Sequence, residues 1–475
     1  MNSPLAILKF LVLKTPFILK TALFHVLSLS PTASKWDLRT ALAVNIIREM
    51  LTNSPPSTIS KQQEGTLRDP GIKGKMWVSK VAMPAPPEDA LLDLLVSTID
   101  ALKQEDESHS RPALVPVEAE WTGYRADVAD NAPEPSISEA EKYENMMKEV
   151  TTDVTLLYFH GGSLYLMDPC TQRSAVSKYS KITGGRVLSV RYRLAPQNPF
   201  PAALLDAFVI YLSLLYPPAG ALNMPIPASQ IVFAGDSAGG NISLVLLQTL
   251  LQIHRTAPTG TVPTVLFHGK EVEIPLPAGL ALSSPSLDLT RSMPSTQTNA
   301  IYDYLPPPTV ALTKSPPCAI WPTSPPRAYL YCEGSMLCHP LVSPLSAESW
   351  AGAPPIFVVS GEEMLADEGK AFVQKAAVQG VTVVWEQYEA MPHCFSLLLE
   401  GNPAGAMSFD SWAEFVKMAV QNPGAIVTRA DFITAKTLVR QPVDIGKLME
   451  MSGEVILGRM RKSRQEIIER AATNS

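Results

Sequence analysis

Short, nearly unbroken apolar runs alternate with longer mixed segments between residues 154 and 399. Four of these runs, at residues 154–159, 231–234, 355–359 and 381–385, have the length and apolar character of buried strands. Segments between them, such as residues 242–251, have the length and composition of helices. This alternation predicts an α/β fold with a mostly parallel central sheet and helices on both faces.

The hexapeptide Gly235-Asp-Ser-Ala-Gly-Gly lies between one predicted strand and the helix that follows it. A Gly-x-Ser-x-Gly sequence in that position is typical of a nucleophile elbow, the sharp turn that exposes a reactive serine. Glycines at 235 and 239 allow a backbone path that a Cβ would obstruct. Ser237 is therefore the candidate nucleophile, with a helix N-terminus behind it that favours negative charge.

Three further motifs occur in the chain order that such an enzyme requires. His160-Gly-Gly-Ser163 follows the first predicted strand, carboxylates at Glu362 and Glu363 follow the third, and His393 follows the fourth. Nucleophile, then acid, then histidine is the order found in α/β-hydrolases. The order predicts that Ser237 and His393 act together.

These motifs resemble the hormone-sensitive-lipase-like carboxylesterases, the α/β-hydrolase fold-3 group. The resemblance implies an α/β-hydrolase fold with a helical cap, and hydrolysis of esters without a metal or organic cofactor. It extends over roughly half of the chain, from about residue 154 to 399. The matching pieces are His160-Gly-Gly-Ser163, Tyr192-Arg-Leu-Ala-Pro196, Phe200-Pro-Ala-Ala203 with Asp206, residues 235–241, Ser343-Pro-Leu345, residues 361–369, and His393.

The resemblance assigns His393 as the general base and a carboxylate after the third strand as its partner. Aligning Asp367-Glu-Gly369 with the family pattern puts Glu363 on the acid position, where the family has aspartate. Asp367 is the alternative acid, and we expect it one turn into the following helix. Glu363 is the preferred assignment.

The resemblance also places the oxyanion hole at backbone N–H groups of Gly161, Gly162 and Ser163, together with Ala238 after the nucleophile. Two positions depart from the family pattern. Ser163 replaces the third glycine of the run, which adds a side chain to the pocket floor. Cys394 replaces the glycine that usually follows the histidine, and an exposed thiol there would make the enzyme sensitive to alkylation.

Charge and cysteine content narrow the possible functions. A net charge of −6 and an isoelectric point near 5.7 argue against a general nucleic-acid-binding protein. Five irregularly spaced cysteines indicate neither a disulfide framework nor a metal site. Mostly reduced thiols in a cytosol-facing protein are expected, although Cys332 and Cys338 could pair in an oxidising compartment.

Four regions are expected along the chain. Residues 1–55 are apolar with lysines at 9, 14 and 20, a pattern equally typical of a segment in a membrane interface and of helices that cap the active site. Residues 56–150 would hold a linker, the first strands and an acidic surface loop; residues 151–425 the catalytic core; and residues 426–475 a helical segment. Two Pro-rich insertions, at 257–277 and 305–326, are expected to lack regular structure.

The sequence thus predicts a serine carboxylesterase or lipase-like enzyme acting on short or medium acyl esters of an apolar alcohol. An acyltransferase or amidase with the same triad, and a non-catalytic ligand-binding protein of the same fold, remain alternatives. The expected location is the cytosolic or endomembrane side of a membrane, with the cytoplasm as the alternative.

Overall fold

The computed structural model describes residues 4–53, 55–307 and 315–473, of which residues 4–13 are described by their backbone alone. Parts of three predicted regions lie outside the described residues: positions 1–3 and 54 of the apolar N-terminal region, 308–314 of the second Pro-rich insertion, and 474–475 of the C-terminal segment.

A ten-stranded sheet forms the centre of the molecule. Its inner strands are parallel, and antiparallel pairs close both edges. The strands, in chain order, are β1 (Met76–Met83), β2 (Val117–Tyr124), β3 (Thr155–Phe159), β4 (Arg186–Arg191), β5 (Ile231–Asp236), β8 (Gly279–Ser283), β9 (Ile356–Gly361), β10 (Val383–Tyr388), β11 (Arg429–Ile433) and β12 (Arg440–Pro442), with β6 (Thr264–Phe267) and β7 (Lys270–Glu273) forming a separate hairpin. They are arranged in the order β1-β2-β4-β3-β5-β8-β9-β10-β11-β12.

Helices cover both faces of this sheet, so alternate residues of a central strand enter different cores. Leu157 and Phe159 of β3 join one hydrophobic cluster, whereas Leu156 and Tyr158 join the other. The helices are α1 (Pro4–Val26), α2 (Leu38–Asn53), α3 (Ile59–Thr66), α4 (Ala90–Ala101), α5 (Glu139–Glu149), α6 (Pro169–Thr183), α7 (Ala202–Leu215), α8 (Ala238–Thr256), α9 (Ser295–Thr298), α10 (Ala366–Val378), α11 (Phe395–Leu398), α12 (Pro403–Gln421) and α13 (Gly453–Thr473). The first core is lined by α4, α7, α8 and α10, and the second by α6 and α12.

The register brings the carboxyl ends of the central strands to one edge of the sheet. Phe159 pairs with Gly235, Asp236 with Ser283, and Gly361 with Tyr388. Loops that leave these ends therefore converge, as expected for a ligand site in an open α/β sheet. The predicted fold class, an α/β-hydrolase with a mostly parallel sheet and helices on both faces, is confirmed.

The structure differs from the sequence-based expectation at three places. The first Pro-rich insertion contains the β6–β7 hairpin, whose turn is His268-Gly269. The region expected to be a linker contains α3, which Thr58 caps through its side chain. The segment after residue 426 is not wholly helical, because β11 pairs with β10 before α13 begins.

The N-terminal helices lie beside the loops at the carboxyl edge. The Trp36 indole N–H donates to the carbonyl of Ala390 at 2.6 Å, and Arg48 of α2 donates to the carbonyl of Asp303 at 2.7 Å. Gln63 of α3 donates to the carbonyls of Tyr165 and Ala195. In the described part of the chain, no helix is both long and apolar enough to cross a membrane.

Candidate active site

Ser237 occupies a strained turn between β5 and α8. Its backbone has φ 51° and ψ −116°, a conformation that costs on the order of 1–3 kcal/mol for a non-glycine residue. The turn can form only because glycine stands at 239, where a Cβ would lie 1.9 Å from the carbonyl oxygen of Phe159. The surrounding structure thus holds the Ser237 hydroxyl at the edge where the strand ends converge.

Two hydrogen bonds connect this hydroxyl to a buried carboxylate. His393 Nε2 lies 2.8 Å from Ser237 Oγ, and His393 Nδ1 lies 2.9 Å from Glu363 Oε2. Glu363 is fully buried and His393 nearly so. A nucleophile joined to a base that a third group orients is the arrangement that activates a hydroxyl. The structure therefore brings together Ser237, His393 and Glu363 as the sequence predicts.

The alternative acid, Asp367, is not brought to the histidine. It lies in the first turn of α10, where its carboxylate accepts a hydrogen bond from the N–H of Ser295 at 2.9 Å and pairs with Lys370. Glu363 lies two residues after β9 and before α10 begins, and its carboxylate lies 2.9 Å from His393 Nδ1.

The pairing with Glu363 changes the proton affinity of the base. Burial by itself opposes protonation of His393, but Cys394 and Glu363 outweigh burial and raise the His393 pKa well above 6.5. Burial also raises the pKa of the Cys394 thiol, to about 11, so this thiol is uncharged at neutral pH. The negative charge that stabilises the protonated His393 ring at neutral pH is therefore the Glu363 carboxylate. Burial raises the pKa of Glu363 as well, while His393 opposes that rise, so the two groups titrate as a pair.

We expect the acid limb of kcat/KM to have its midpoint above the ordinary histidine pKa of about 6.5. His393 must be neutral to accept the serine proton, and a raised pKa keeps it protonated up to a higher pH. Activity should therefore fall as pH decreases through this raised value. A kcat/KM profile with a soluble ester measures it, and a midpoint at or below 6.5 would contradict the expectation.

Three backbone N–H groups near the Ser237 turn in the fold are the candidate donors for an oxyanion. Gly162 and Ser163 have positive φ values of 111° and 54°, and Ala238 is the first residue of α8. Within the described residues, no acceptor engages the N–H of Gly162, Ser163 or Ala238. Unengaged N–H groups at a helix start and a tight turn suit a developing oxyanion.

Gly161, which the sequence places in the same hole, has a different partner. Its N–H donates to the carboxylate of Asp236 at 3.1 Å, and that carboxylate is also held by the Tyr158 hydroxyl. Because the Gly161 N–H already donates to Asp236, it is not free to bind a substrate oxygen, and its role is to position the loop. The N–H groups of Gly162 and Ser163 remain available to an oxyanion. These contacts favour the scaffold role that the sequence indicates for Asp236.

His160 is buried and supports the same loop. Its ring stacks on Tyr192 with centroids 4.4 Å apart, and its Nδ1 lies 2.7 Å from the carbonyl oxygen of Gly161. Burial lowers the pKa of His160 to about 4, which keeps the ring neutral. Its contacts favour the structural role that the sequence indicates over that of a second base.

Asp303 is a site residue that sequence reasoning missed. Its buried carboxylate accepts hydrogen bonds from the N–H of Met364 at 2.8 Å and of His393 at 3.4 Å. One side chain thus ties the loop that carries the acid to the loop that carries the base. In the sequence, Asp303 is marked only as a single aspartate just before a Pro-rich insertion. Its partners, Met364 and His393, are 61 and 90 residues away, so no local pattern indicates these contacts.

Replacing Asp303 with asparagine should lower kcat by about 10²-fold, the loss typical of a misplacement of about 1 Å in a catalytic group. The amide NH₂ would oppose one of the N–H groups that the carboxylate now accepts. The measurement is kcat with a soluble ester, alongside the melting temperature. Asp37→Asn, at an exposed helix-capping residue, is the matched control. A folded Asp303→Asn enzyme with kcat within twofold of wild type would contradict this role.

Cys394 is buried in the structure, so the condition for alkylation sensitivity is not met. Its φ of 48° is in the left-handed region, which accounts for the glycine that the family usually has here. Its N–H donates to Ser284 Oγ at 3.0 Å. Among the described residues, no group of three or more acidic, histidine or cysteine side chains could hold a metal ion.

Comparisons with known proteins agree with this geometry. The profile of a family described as alpha/beta hydrolase fold matches residues 156–397. An acetyl-hydrolase of Streptomyces hygroscopicus is 30% identical over 266 residues, which cover 56% of this chain and 76% of that protein. An esterase of Acinetobacter venetianus is 27% identical over 273 residues, covering 57% of this chain and 77% of that protein.

Solved structures show the same fold. The crystal structure of EstE5 soaked with p-nitrophenyl butyrate has a TM-score of 0.54 and 22% identity, covering 80% of this chain and 98% of that one. An esterase from the bacterial hormone-sensitive lipase family has a TM-score of 0.50 and 22% identity, covering 81% of this chain and 99% of that one. At this identity the structures support the fold alone. The family match spans just over half of the chain, and the chain therefore belongs to the family described as alpha/beta hydrolase fold.

Proposed function

We propose that this protein hydrolyses carboxylic esters, with Ser237 as nucleophile, His393 as general base and Glu363 as the group that orients the base. One observation carries the proposal: the pair of hydrogen bonds, 2.8 Å and 2.9 Å long, from the serine hydroxyl through the imidazole to a buried carboxylate. The names of the curated relatives, acetyl-hydrolase and esterase, support the same reaction.

The reaction begins when Ser237 Oγ attacks the ester carbonyl carbon. His393 Nε2 accepts the serine proton, and Glu363 stabilises the resulting imidazolium through Nδ1. The carbonyl oxygen becomes an oxyanion, which the N–H groups of Gly162, Ser163 and Ala238 bind. Each such donor contributes about 2.7–4 kcal/mol to transition-state stabilisation.

The tetrahedral intermediate then collapses and the C–O bond to the alcohol breaks. His393 returns its proton to the departing alcohol oxygen, which leaves an acyl group on Ser237. Water enters, loses a proton to His393 and attacks the acyl carbon by the same route. The acid is released, and Ser237 recovers its proton from the imidazolium.

The proposed substrates carry short or medium acyl groups on an apolar alcohol. Ser163 supports a limited acyl site, because a hydroxymethyl side chain occupies a position where the family has glycine. The relative named acetyl-hydrolase supports a small acyl group as well. The apolar N-terminal region favours an apolar alcohol.

A p-nitrophenyl ester series from acetyl to palmitoyl tests the ester hydrolysis and the acyl-chain preference. We expect turnover with an optimum at the shorter chains, and a fluorophosphonate adduct that peptide mapping locates on Ser237. An acyltransferase would transfer the acyl group to an added alcohol or amine in preference to water. Absence of both turnover and labelling would contradict the proposal and favour a ligand-binding protein.

A further inference from the structure

We propose that the exposed end of α1 and the turn after it, residues 19–29, form a docking surface for a membrane that contains anionic lipid. This segment is called the α1 tip below. The inference goes beyond the proposed ester hydrolysis and does not depend on the triad, since it concerns where the enzyme is held and not what it does to a bound ester.

The α1 tip presents a contiguous group of aliphatic and aromatic side chains to solvent. Six of its eleven residues are large, apolar and between 42% and 67% exposed. Scattered exposed apolar residues are normal on a protein surface, whereas a concentrated group marks a contact site. The six are Leu19, Leu23, Phe24, Val26, Leu27 and Leu29.

The charged residues that flank the α1 tip in the sequence are lysines. The first 36 residues contain four lysines and neither aspartate nor glutamate. Lys20 is exposed and its Nζ lies 5.5 Å from the centre of the Phe24 ring, and the exposed Lys436 donates to the carbonyl of Ala33. Lys14 is paired with Glu49, and Lys35 is paired with Glu389. The attraction of the α1 tip to anionic lipid therefore rests mainly on Lys20 and Lys436.

This combination fits a lipid surface better than a protein partner. Apolar side chains that insert to the level of the headgroups, beside lysines that contact anionic lipid, are typical of helices that lie in a membrane interface. Protein interfaces instead concentrate their binding energy in tryptophan, tyrosine and arginine, none of which occurs in residues 19–29.

The segments on either side of the α1 tip are linked, directly or through α2, to loops near the active site. Lys14 of α1 pairs with Glu49 of α2 at 2.7 Å, and the neighbouring Arg48 donates to the carbonyls of Asp303 and Ile301. Trp36, seven residues beyond the tip, donates to Ala390, three residues before His393. A membrane bound at the tip would therefore lie on the side of the molecule where the base-bearing loop is held, so an apolar ester could pass from lipid to Ser237.

Vesicle co-sedimentation of the full chain tests the proposal. The probes are vesicles of phosphatidylcholine alone and of phosphatidylcholine mixed with phosphatidylserine. We expect wild type to bind the mixed vesicles more tightly, and Leu19→Gln/Leu23→Gln/Leu27→Gln to lower the partition coefficient by at least about tenfold. Lys20→Glu should lower binding to the mixed vesicles but not to the neutral ones.

A matched control replaces three apolar residues that are even more exposed but scattered: Met224→Gln/Val378→Gln/Val427→Gln. This control should bind vesicles as wild type does. Both triple variants should keep wild-type turnover of p-nitrophenyl acetate, because none of the six positions belongs to the active site. Ser237→Ala should bind vesicles normally, which separates docking from catalysis.

Three results would overturn the proposal. Wild type could fail to sediment with either kind of vesicle. The tip variant and the scattered control could lose binding equally, which would indicate non-specific adsorption. The tip substitutions could instead convert a dimer to a monomer in sedimentation velocity, without an effect on vesicles, and the surface would then be a contact between two copies of the chain.

Discussion

Replacing Ser237 with alanine is expected to lower kcat for p-nitrophenyl esters by about 10⁶-fold, the loss seen when a serine nucleophile is removed from such a triad. The variant keeps His393, Glu363 and the oxyanion donors, but it lacks the atom that forms the acyl-enzyme. Steady-state hydrolysis with the butyryl ester measures the effect, and the fluorophosphonate adduct should disappear in parallel.

The fold of this variant should be unchanged, because alanine and serine face the same backbone strain at φ 51°. The melting temperature therefore serves as the control for unfolding. If Ser237→Ala kept more than a hundredth of the wild-type kcat, with contaminating esterase excluded, Ser237 would not be the nucleophile.

Replacing Glu363 with glutamine should lower kcat by about 10⁴-fold, as expected when the orienting carboxylate becomes an amide and stabilises the wrong imidazole tautomer. The same change removes the Glu363 charge, which together with Cys394 raises the His393 pKa against the effect of burial, so the His393 pKa should fall. The acid limb of the residual activity should consequently move to lower pH. Both shifts are read from one kcat/KM profile.

Two further variants make this test specific. Glu363→Asp keeps the charge but withdraws it from His393 Nδ1, and a displacement of about 1 Å at a catalytic group costs about 10²-fold. Asp367→Asn should keep nearly wild-type activity, because its amide oxygen can still accept from Ser295. Loss of activity in Asp367→Asn but not in Glu363→Gln would reverse the assignment of the acid.

Local sequence predicted the candidate catalytic groups because each of them belongs to a short motif next to a strand. The apolar runs at 154–159, 231–234, 355–359 and 381–385 correspond to β3, β5, β9 and β10. Once these strands are parallel, their carboxyl ends must lie together. The positions of Ser237, Glu363 and His393 at one edge follow from that rule and from their order along the chain.

Contacts between distant segments were not predictable in this way. The hydrogen bonds of Asp303 depend on how a loop after β8 packs against the ends of β9 and β10, and no local pattern encodes that packing. The involvement of Gly161 with Asp236 is similar, since the two are neighbours only because β3 pairs with β5. The β11 strand was hidden because its five residues join the sheet between β10 and the edge strand β12, at a place that other segments define.

The sequence by itself predicted the fold class and, together with the family resemblance, the candidate nucleophile, base and preferred acid, because strand periodicity, glycine at sterically closed turns and motif order are local properties. Only the tertiary structure decided that Glu363 rather than Asp367 reaches His393, that Gly161 is engaged elsewhere, and that Asp303 joins the acid and base loops. It also decided which apolar residues of α1 remain exposed, because burial depends on what the rest of the chain packs against them. Side-chain reach and loop packing over 60 or more residues are set by the assembled sheet, and the primary pattern carries no direct signal for them.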